Sequence, residues 1–209
     1  MPKSSAAGRA RKIKLILFDV DGVLTDGKIW IFPAPGLQAG ARQSVLEKSA
    51  RPAEQAGFGL HGASLIEAKG FHAHDGTAIA LARMAGIKTG IITKRISETV
   101  ALRARDLKID HVYQGIQDKA SVFAQILEKD GITAAEAAFV GDDVIDLPAM
   151  RKCGLAIAVK NARPEVKAEA HWATPHAGGD GAARDAVEYI LKAQGKWKHA
   201  VEEYILERS

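Results

Sequence analysis

The stretch Lys14-Leu-Ile-Leu-Phe-Asp-Val-Asp-Gly-Val-Leu-Thr25 limits the possible folds more than any other part of the chain. Ile13 and the run from Leu15 to Phe18 are large and apolar. So short an apolar run suits a strand buried on both faces. It stops abruptly at Asp19-Val-Asp21-Gly22. In an extended chain, side chains two apart point the same way, so Asp19 and Asp21 should emerge together from the strand's carboxyl end. Like charges this close can be buried only with a cation, which implies a hard divalent ion such as Mg2+. Taken alone, the stretch is as readily an Asp-rich turn that ends a strand and caps a helix.

Downstream, the chain alternates between helical and extended patterns. Lys28–Phe32 is extended and ends at Pro33-Ala-Pro-Gly36, and Ala63–His74 reads as extended again. Residues 28–74 are therefore expected to form a hairpin-like excursion, with 36–60 as an elaborated tip holding a short helix at Gln43–Ser49. Asp75-Gly-Thr77 opens a helix that Gly86 ends. Strands are expected at Lys88–Thr93, His111–Gln114, Ala137–Gly141 and Leu155–Val159. Helices should start at Ser97 and Asp118 and cover Leu147–Lys152 and Ala182–Gln194. This rhythm predicts an α/β, three-layer, Rossmann-like sheet of mostly parallel strands.

In such sheets, ligands bind beyond the carboxyl ends of the strands. The strand ends placed there deliver Asp19 and Asp21, then Thr93, then Lys119 on the next helix. The fourth delivers Gly141-Asp142-Asp143, with Asp146 one helical turn onward. This set suits phosphoryl transfer. Asp19 would attack phosphorus, and Asp21 would act as general acid and then base. Asp142 would complete a Mg2+ site with Asp19 and the Asp21 carbonyl. Thr93 and Lys119 would hold the transferring group, and Asp143 and Asp146 would support the metal and Lys119.

Composition removes other classes. The formal charge is +4, and five cations, Lys3, Arg9, Arg11, Lys12 and Lys14, fall in the first fourteen residues. Residues 1–12 are read as a disordered, solvated leader. No aromatic residue interleaves these charges, which disfavours a nucleic-acid arm. Lys14 and the two aspartates break the apolar run, so it is neither a signal peptide nor a membrane span. The single cysteine, Cys153, suits a packed apolar position in a cytoplasmic protein. His72-x-His74 could form a metal pair on one face of a strand, but the barrel that uses such a pair needs a longer chain.

Asp19-x-Asp21-Gly-Val-x-Thr, Thr93, Lys119 and Gly141-Asp142-Asp143-x-x-Asp146 resemble the four motifs of the haloacid dehalogenase superfamily of phosphohydrolases. Lys69-Gly-Phe-His-Ala-His-Asp75-Gly76, Tyr113-Gln-Gly115, Gly178–Asp185 and Leu191–Gly195 are similar to its small-cap branch, which contains the 3-deoxy-D-manno-octulosonate 8-phosphate phosphatases. The resemblance covers roughly residues 13–35 and 63–196. It implies one domain over 13–196, a helical tail over 197–209, and Mg2+-dependent hydrolysis of an acidic sugar phosphate in lipopolysaccharide precursor synthesis. It also implies a homotetramer built through the hairpin after the first strand. Lys94 joins the phosphate site, and Arg184, Lys69, His74 and Asp75 become substrate-binding candidates.

Two positions depart from the branch: Lys94 replaces a small residue, and His74 replaces an Arg or Lys. Asp19 and Asp75 also stand 56 positions apart, a longer spacing than the branch has, because of the elaboration over 33–62. Competing readings are a phosphatase of a nonulosonate 9-phosphate and a non-catalytic assembly domain. A receiver-like phosphoacceptor is disfavoured by Asp21, since an acid/base there would hydrolyse the phosphoryl group.

Overall fold

β1 (Leu15–Phe18) is fully buried, and it takes parallel partners on both sides, β4 (Lys88–Ile92) and β6 (Ala137–Gly141). The computed structural model describes residues 5–33 and 65–207. Within it, β5 (His111–Tyr113) pairs beyond β4, while β7 (Leu155–Ala158) and β8 (Trp172–Ala173) extend the other edge. The order is β5-β4-β1-β6-β7-β8, every pairing parallel. The central position of β1 explains its continuous apolar run, since neither face meets water. Close approach is needed on its flank: a Cβ on Gly90 would lie 2.6 Å from the Leu17 side chain and 2.9 Å from that of His111.

Helices cover the sheet. α1 (Ala6–Ala10), α2 (Ala73–Met84), α7 (Ala182–Ala193) and α8 (Trp197–Leu206) pack against one another. α4 (Lys119–Asp130), α5 (Leu147–Met150) and α6 (Pro164–Glu169) form a second group. α3 (Glu98–Asp106) follows β4. The caps expected at Ser97 and Asp118 form, whereas Asp75 lies inside the first turn of α2, whose N-cap is His72 with no side-chain cap bond. The Ser97 hydroxyl accepts from Val100 N–H, and Asp118 accepts from the Ala120 and Ser121 amides. The left-handed Gly86 (φ 75°) follows α2, and Gly131 (φ 63°) closes α4.

β2 (Trp30–Pro33) and β3 (Leu65–Ala68) form a separate antiparallel pair, with Ile31 opposite Glu67. A bridge between Thr25 and Phe71 closes its base. The elaborated tip expected over 36–60, with its helix at 43–49, lies outside the described residues.

Three expectations change. The leader is not a solvated tail over its described part. Ser5 caps α1 by accepting from Gly8 N–H, Ala10 is buried, and Arg9 donates to the Gly154 carbonyl at 2.7 Å. Alanines give helical propensity there, and the cations keep to the rim. The extended run ends at Ala68, and α2 starts at Ala73, so His74 lies in a helix and does not share a strand face with His72. β8 was not foreseen, because two residues carry no periodic signal. Cys153 is buried as expected, and burial pushes its thiol up to about 12.

Among the described residues, no helix is long and apolar enough to cross a membrane. Leu17→Ala should cost about 2–5 kcal/mol of stability, because it hollows the strand that carries the site. Urea unfolding monitored by circular dichroism measures this.

Candidate active site

Asp19 follows β1 directly, and its backbone N–H donates to the Val140 carbonyl at 3.0 Å. The chain then turns tightly. The amides of Val23, Leu24 and Thr25 all point to the Val20 carbonyl, at 3.2, 2.9 and 3.0 Å. Gly22 adopts φ 94°, and a Cβ there would sit 2.2 Å from a carboxylate oxygen of Asp142. Only glycine lets the turn pack this closely against the loop after β6.

Lys119, at the start of α4, is buried between two carboxylates. Its ammonium lies 2.8 Å from Asp19 Oδ1 and 2.6 Å from Asp146 Oδ1. The other Asp146 oxygen accepts from the Asp142 and Asp143 amides at 3.0 and 3.3 Å. Asp146 thus fixes both the lysine and the loop after β6. A Cβ on Gly141 would come 2.7 Å from the Asp146 side chain, so glycine at the end of β6 is required for this packing.

Oxygens of Asp19, Asp142 and Asp146 all lie within 4.8 Å of one another. Among the described residues, Lys119 is the one cation in ion-pair contact with this cluster, through Asp19 and Asp146. Burial pushes Asp19 up to about 6 against the opposing pull of Lys119, with Asp146 adding to the rise. Burial pushes Asp142 up to about 7, reinforced by Asp19, Asp146 and Asp143. Asp142 Oδ1 is buried without a hydrogen-bond partner. Crowded carboxylates with an orphaned oxygen fit a hard divalent cation.

The predicted residues are not all gathered in this cluster. The Asp21 side chain is not part of the three-carboxylate group; its Oδ1 pairs with the buried Lys69 ammonium and its Oδ2 lies 3.7 Å from Arg95 Nε. Only its carbonyl is left for the metal role the sequence suggested. Thr93 is buried at the end of β4, where its N–H donates to the Tyr113 carbonyl at 3.0 Å, and Lys94 beside it is half-buried. Asp143 is exposed and caps its own turn by accepting from Val144 N–H at 2.7 Å.

Three substrate candidates have other contacts. Asp75 is buried, and its Oδ1 accepts from the Arg184 backbone N–H at 2.8 Å, anchoring the start of α7. Burial raises its carboxyl, with that amide opposing. The Arg184 guanidinium binds Glu188 at 3.2 Å and stacks over Trp197. His74 is exposed and meets His72 edge-on. Among the described residues, none of their hydrogen bonds or ion pairs reaches the carboxylate cluster.

Sequence reasoning missed Glu67, Arg95 and Ser97. Glu67 accepts from Ser97 Oγ at 2.5 Å and from Arg95 at 3.1 Å, and Lys69 two residues on reaches Asp21. The signal was present: Glu67-x-Lys69 at the end of a strand is a same-face charged pair aimed at the crevice. The two-stranded ribbon therefore brings charge to Asp21, as well as carrying apolar surface.

Residues 77–184 match the family model of the haloacid dehalogenase-like hydrolases. The 3-deoxy-D-manno-octulosonate 8-phosphate phosphatase of Escherichia coli is 36% identical over 192 residues, covering 92% of this chain and 86% of that protein. The crystal structure of the Yersinia pestis phosphatase of the same name superposes with a TM-score of 0.75 at 32% identity, covering 92% of this chain and 88% of that one. The Moraxella catarrhalis phosphatase, solved with a magnesium ion, a phosphate ion and KDO, gives 0.76 at 32% identity, covering 95% and 97%. The chain belongs to the haloacid dehalogenase-like hydrolases. Within them its family is that of the 3-deoxy-D-manno-octulosonate 8-phosphate phosphatases, and it is a phosphatase.

A carboxyl with a folded-state pKa of about 7, against 3.8 unperturbed, binds its proton more tightly when folded. In metal-free protein the stability tied to Asp142 is therefore present at low pH, and it is lost as the pH rises through that window. At about pH 8 in EDTA, Asp142→Asn should be more stable than wild type by about 2 kcal/mol. Mg2+ should raise the melting temperature of the wild type far more than that of the variant. Thermal scans with and without Mg2+ check both.

Proposed function

We propose that this chain is a Mg2+-dependent phosphomonoester hydrolase acting on an acidic sugar phosphate, 3-deoxy-D-manno-octulosonate 8-phosphate, and releasing the free sugar acid and phosphate. The observation that carries the reading is the buried Asp19–Lys119–Asp146 chain, with the partnerless Asp142 oxygen beside it. It stands in a chain 36% identical over 92% of its length to an enzyme of that name.

Asp19 and Asp142, with the Asp21 carbonyl, would hold Mg2+, which when bound neutralises phosphoryl oxygens and keeps Asp19 ionised. A carboxylate oxygen of Asp19 forms a bond to phosphorus as the ester P–O bond breaks, giving an aspartyl-phosphate. Asp21 gives a proton to the departing ester oxygen, which leaves as the sugar hydroxyl. It then takes one from the water that attacks the aspartyl-phosphate, releasing phosphate and regenerating Asp19. Lys119, Thr93 and Lys94 hold the transferring group, with Lys119 fixed by Asp146. Lys69 and Arg95 stand beside Asp21, where an acidic sugar would meet their charge.

The reading extends to a cytoplasmic location, in keeping with the lone buried cysteine, and to a homotetramer. Trp30, Ile31, Phe32 and Ile66 are exposed on the β2–β3 ribbon, an apolar surface that a second copy would cover. Phe32→Asp should shift the mass measured by light scattering toward smaller species. An unchanged mass would remove the ribbon from the assembly.

Phosphate release with Mg2+ across octulosonate 8-phosphate, nonulosonate 9-phosphates, hexose phosphates and an aryl phosphate tests the activity. The eight-carbon acid should be preferred. Asp19→Asn should lower turnover by about 10⁴-fold or more, and Asp21→Asn by about 10²–10⁴-fold. Preference for another acidic sugar would keep the mechanism and overturn the substrate. Turnover that survives Asp19→Asn would overturn the mechanism.

A further inference from the structure

The loop after β7 bears Asn161, which neither the motif reading nor the mechanism uses. Its Oδ1 accepts from Gly178 N–H at 2.7 Å, and its Nδ2 faces the Gly22 carbonyl at 3.4 Å. The partners fix the amide's orientation, since one is a donor and the other an acceptor. Two residues on, Arg163 N–H donates to the Asp142 carbonyl at 2.8 Å. One short loop thus touches the Asp21-Gly22 turn, the backbone of Asp142 and the glycine-rich segment before α7.

That segment lies directly on the turn. A Cβ on Gly178 would fall 1.7 Å from the Gly22 carbonyl oxygen, and Gly179 N–H donates to the Val23 carbonyl at 3.1 Å. Gly22, at φ 94°, has the greatest backbone freedom in the turn. Without external ties, that freedom would have to be lost each time a cation drew in the Asp21 carbonyl beside it.

We infer that Asn161 is a positioning residue for the metal site, holding the Asp21-Gly22 turn and the Gly178-Gly179 strap in the geometry that Mg2+ requires. The inference rests on the metal reading proposed above. Asn161 is exposed and its loop is tied elsewhere by backbone bonds, so its removal should leave the fold intact.

Titration calorimetry with MgCl2 on the full chain tests it, using wild type, Asn161→Ala and Gly178→Ala. Asn161→Ala should weaken Mg2+ binding about tenfold, with an unchanged melting temperature in EDTA, and saturating Mg2+ should restore most of the wild-type kcat. Gly178→Ala, which displaces the strap by another route, should weaken Mg2+ binding as well. Wild-type affinity in Asn161→Ala, or a kcat loss that Mg2+ does not restore, would overturn the inference and leave the metal reading standing. No Mg2+ binding by the wild type would overturn the metal reading, and the inference with it.

Discussion

A lysine ammonium buried between two carboxylates organises this molecule. Lys119 cannot be taken out of water without partners, and Asp19 and Asp146 supply them at 2.8 and 2.6 Å. Those three residues come from the end of β1, the start of α4 and the turn after β6, so satisfying the charge draws three chain segments to one point. Glycines at 22 and 141 are consequences of the same demand, each leaving room for an aspartate of the cluster. The arrangement still leaves more negative than positive charge in a buried place, and burial raises Asp19 and Asp142 as a result. An apolar replacement would be more comfortable for the fold. Keeping the carboxylates makes physical sense where a divalent cation and a phosphoryl group are to be received.

Much of the fold could be read from the chain because its signals are local. A buried strand that ends in two aspartates, helix caps at Ser97 and Asp118, and the glycine stop at 86 depend only on neighbouring residues. The reading failed where tertiary contact decides. α1 forms because Ala10 and Arg9 find partners on α7 and near β7, which a basic leader does not reveal. β8 is two residues long and exists only because β7 offers an edge.

The site divides in the same way. Asp19, Asp142, Asp146, Lys119 and Thr93 sit at strand ends or helix starts, so periodicity and sheet topology together place them. Asp75 and Arg184 were assigned to substrate, yet they meet each other through a backbone amide 109 residues apart in sequence. No pattern along the chain carries that contact. Glu67 and Lys69 were partly visible as an alternating charged pair, but their target, Asp21 flanked by Arg95, appears only once the ribbon folds back over the crevice. Side chains that act through a neighbouring element are the ones sequence reading loses.

The proposed covalent phosphorylation of Asp19 is read most directly by rapid quench followed by peptide mass spectrometry. Asp21→Asn, which should slow the hydrolysis of the intermediate, would be mixed with octulosonate 8-phosphate and Mg2+ and stopped in acid. One phosphoryl group on the peptide bearing Asp19, absent when Mg2+ is withheld, is the predicted result. A modified peptide elsewhere, or phosphate release with no modified peptide at any time, would rule out Asp19 as the nucleophile.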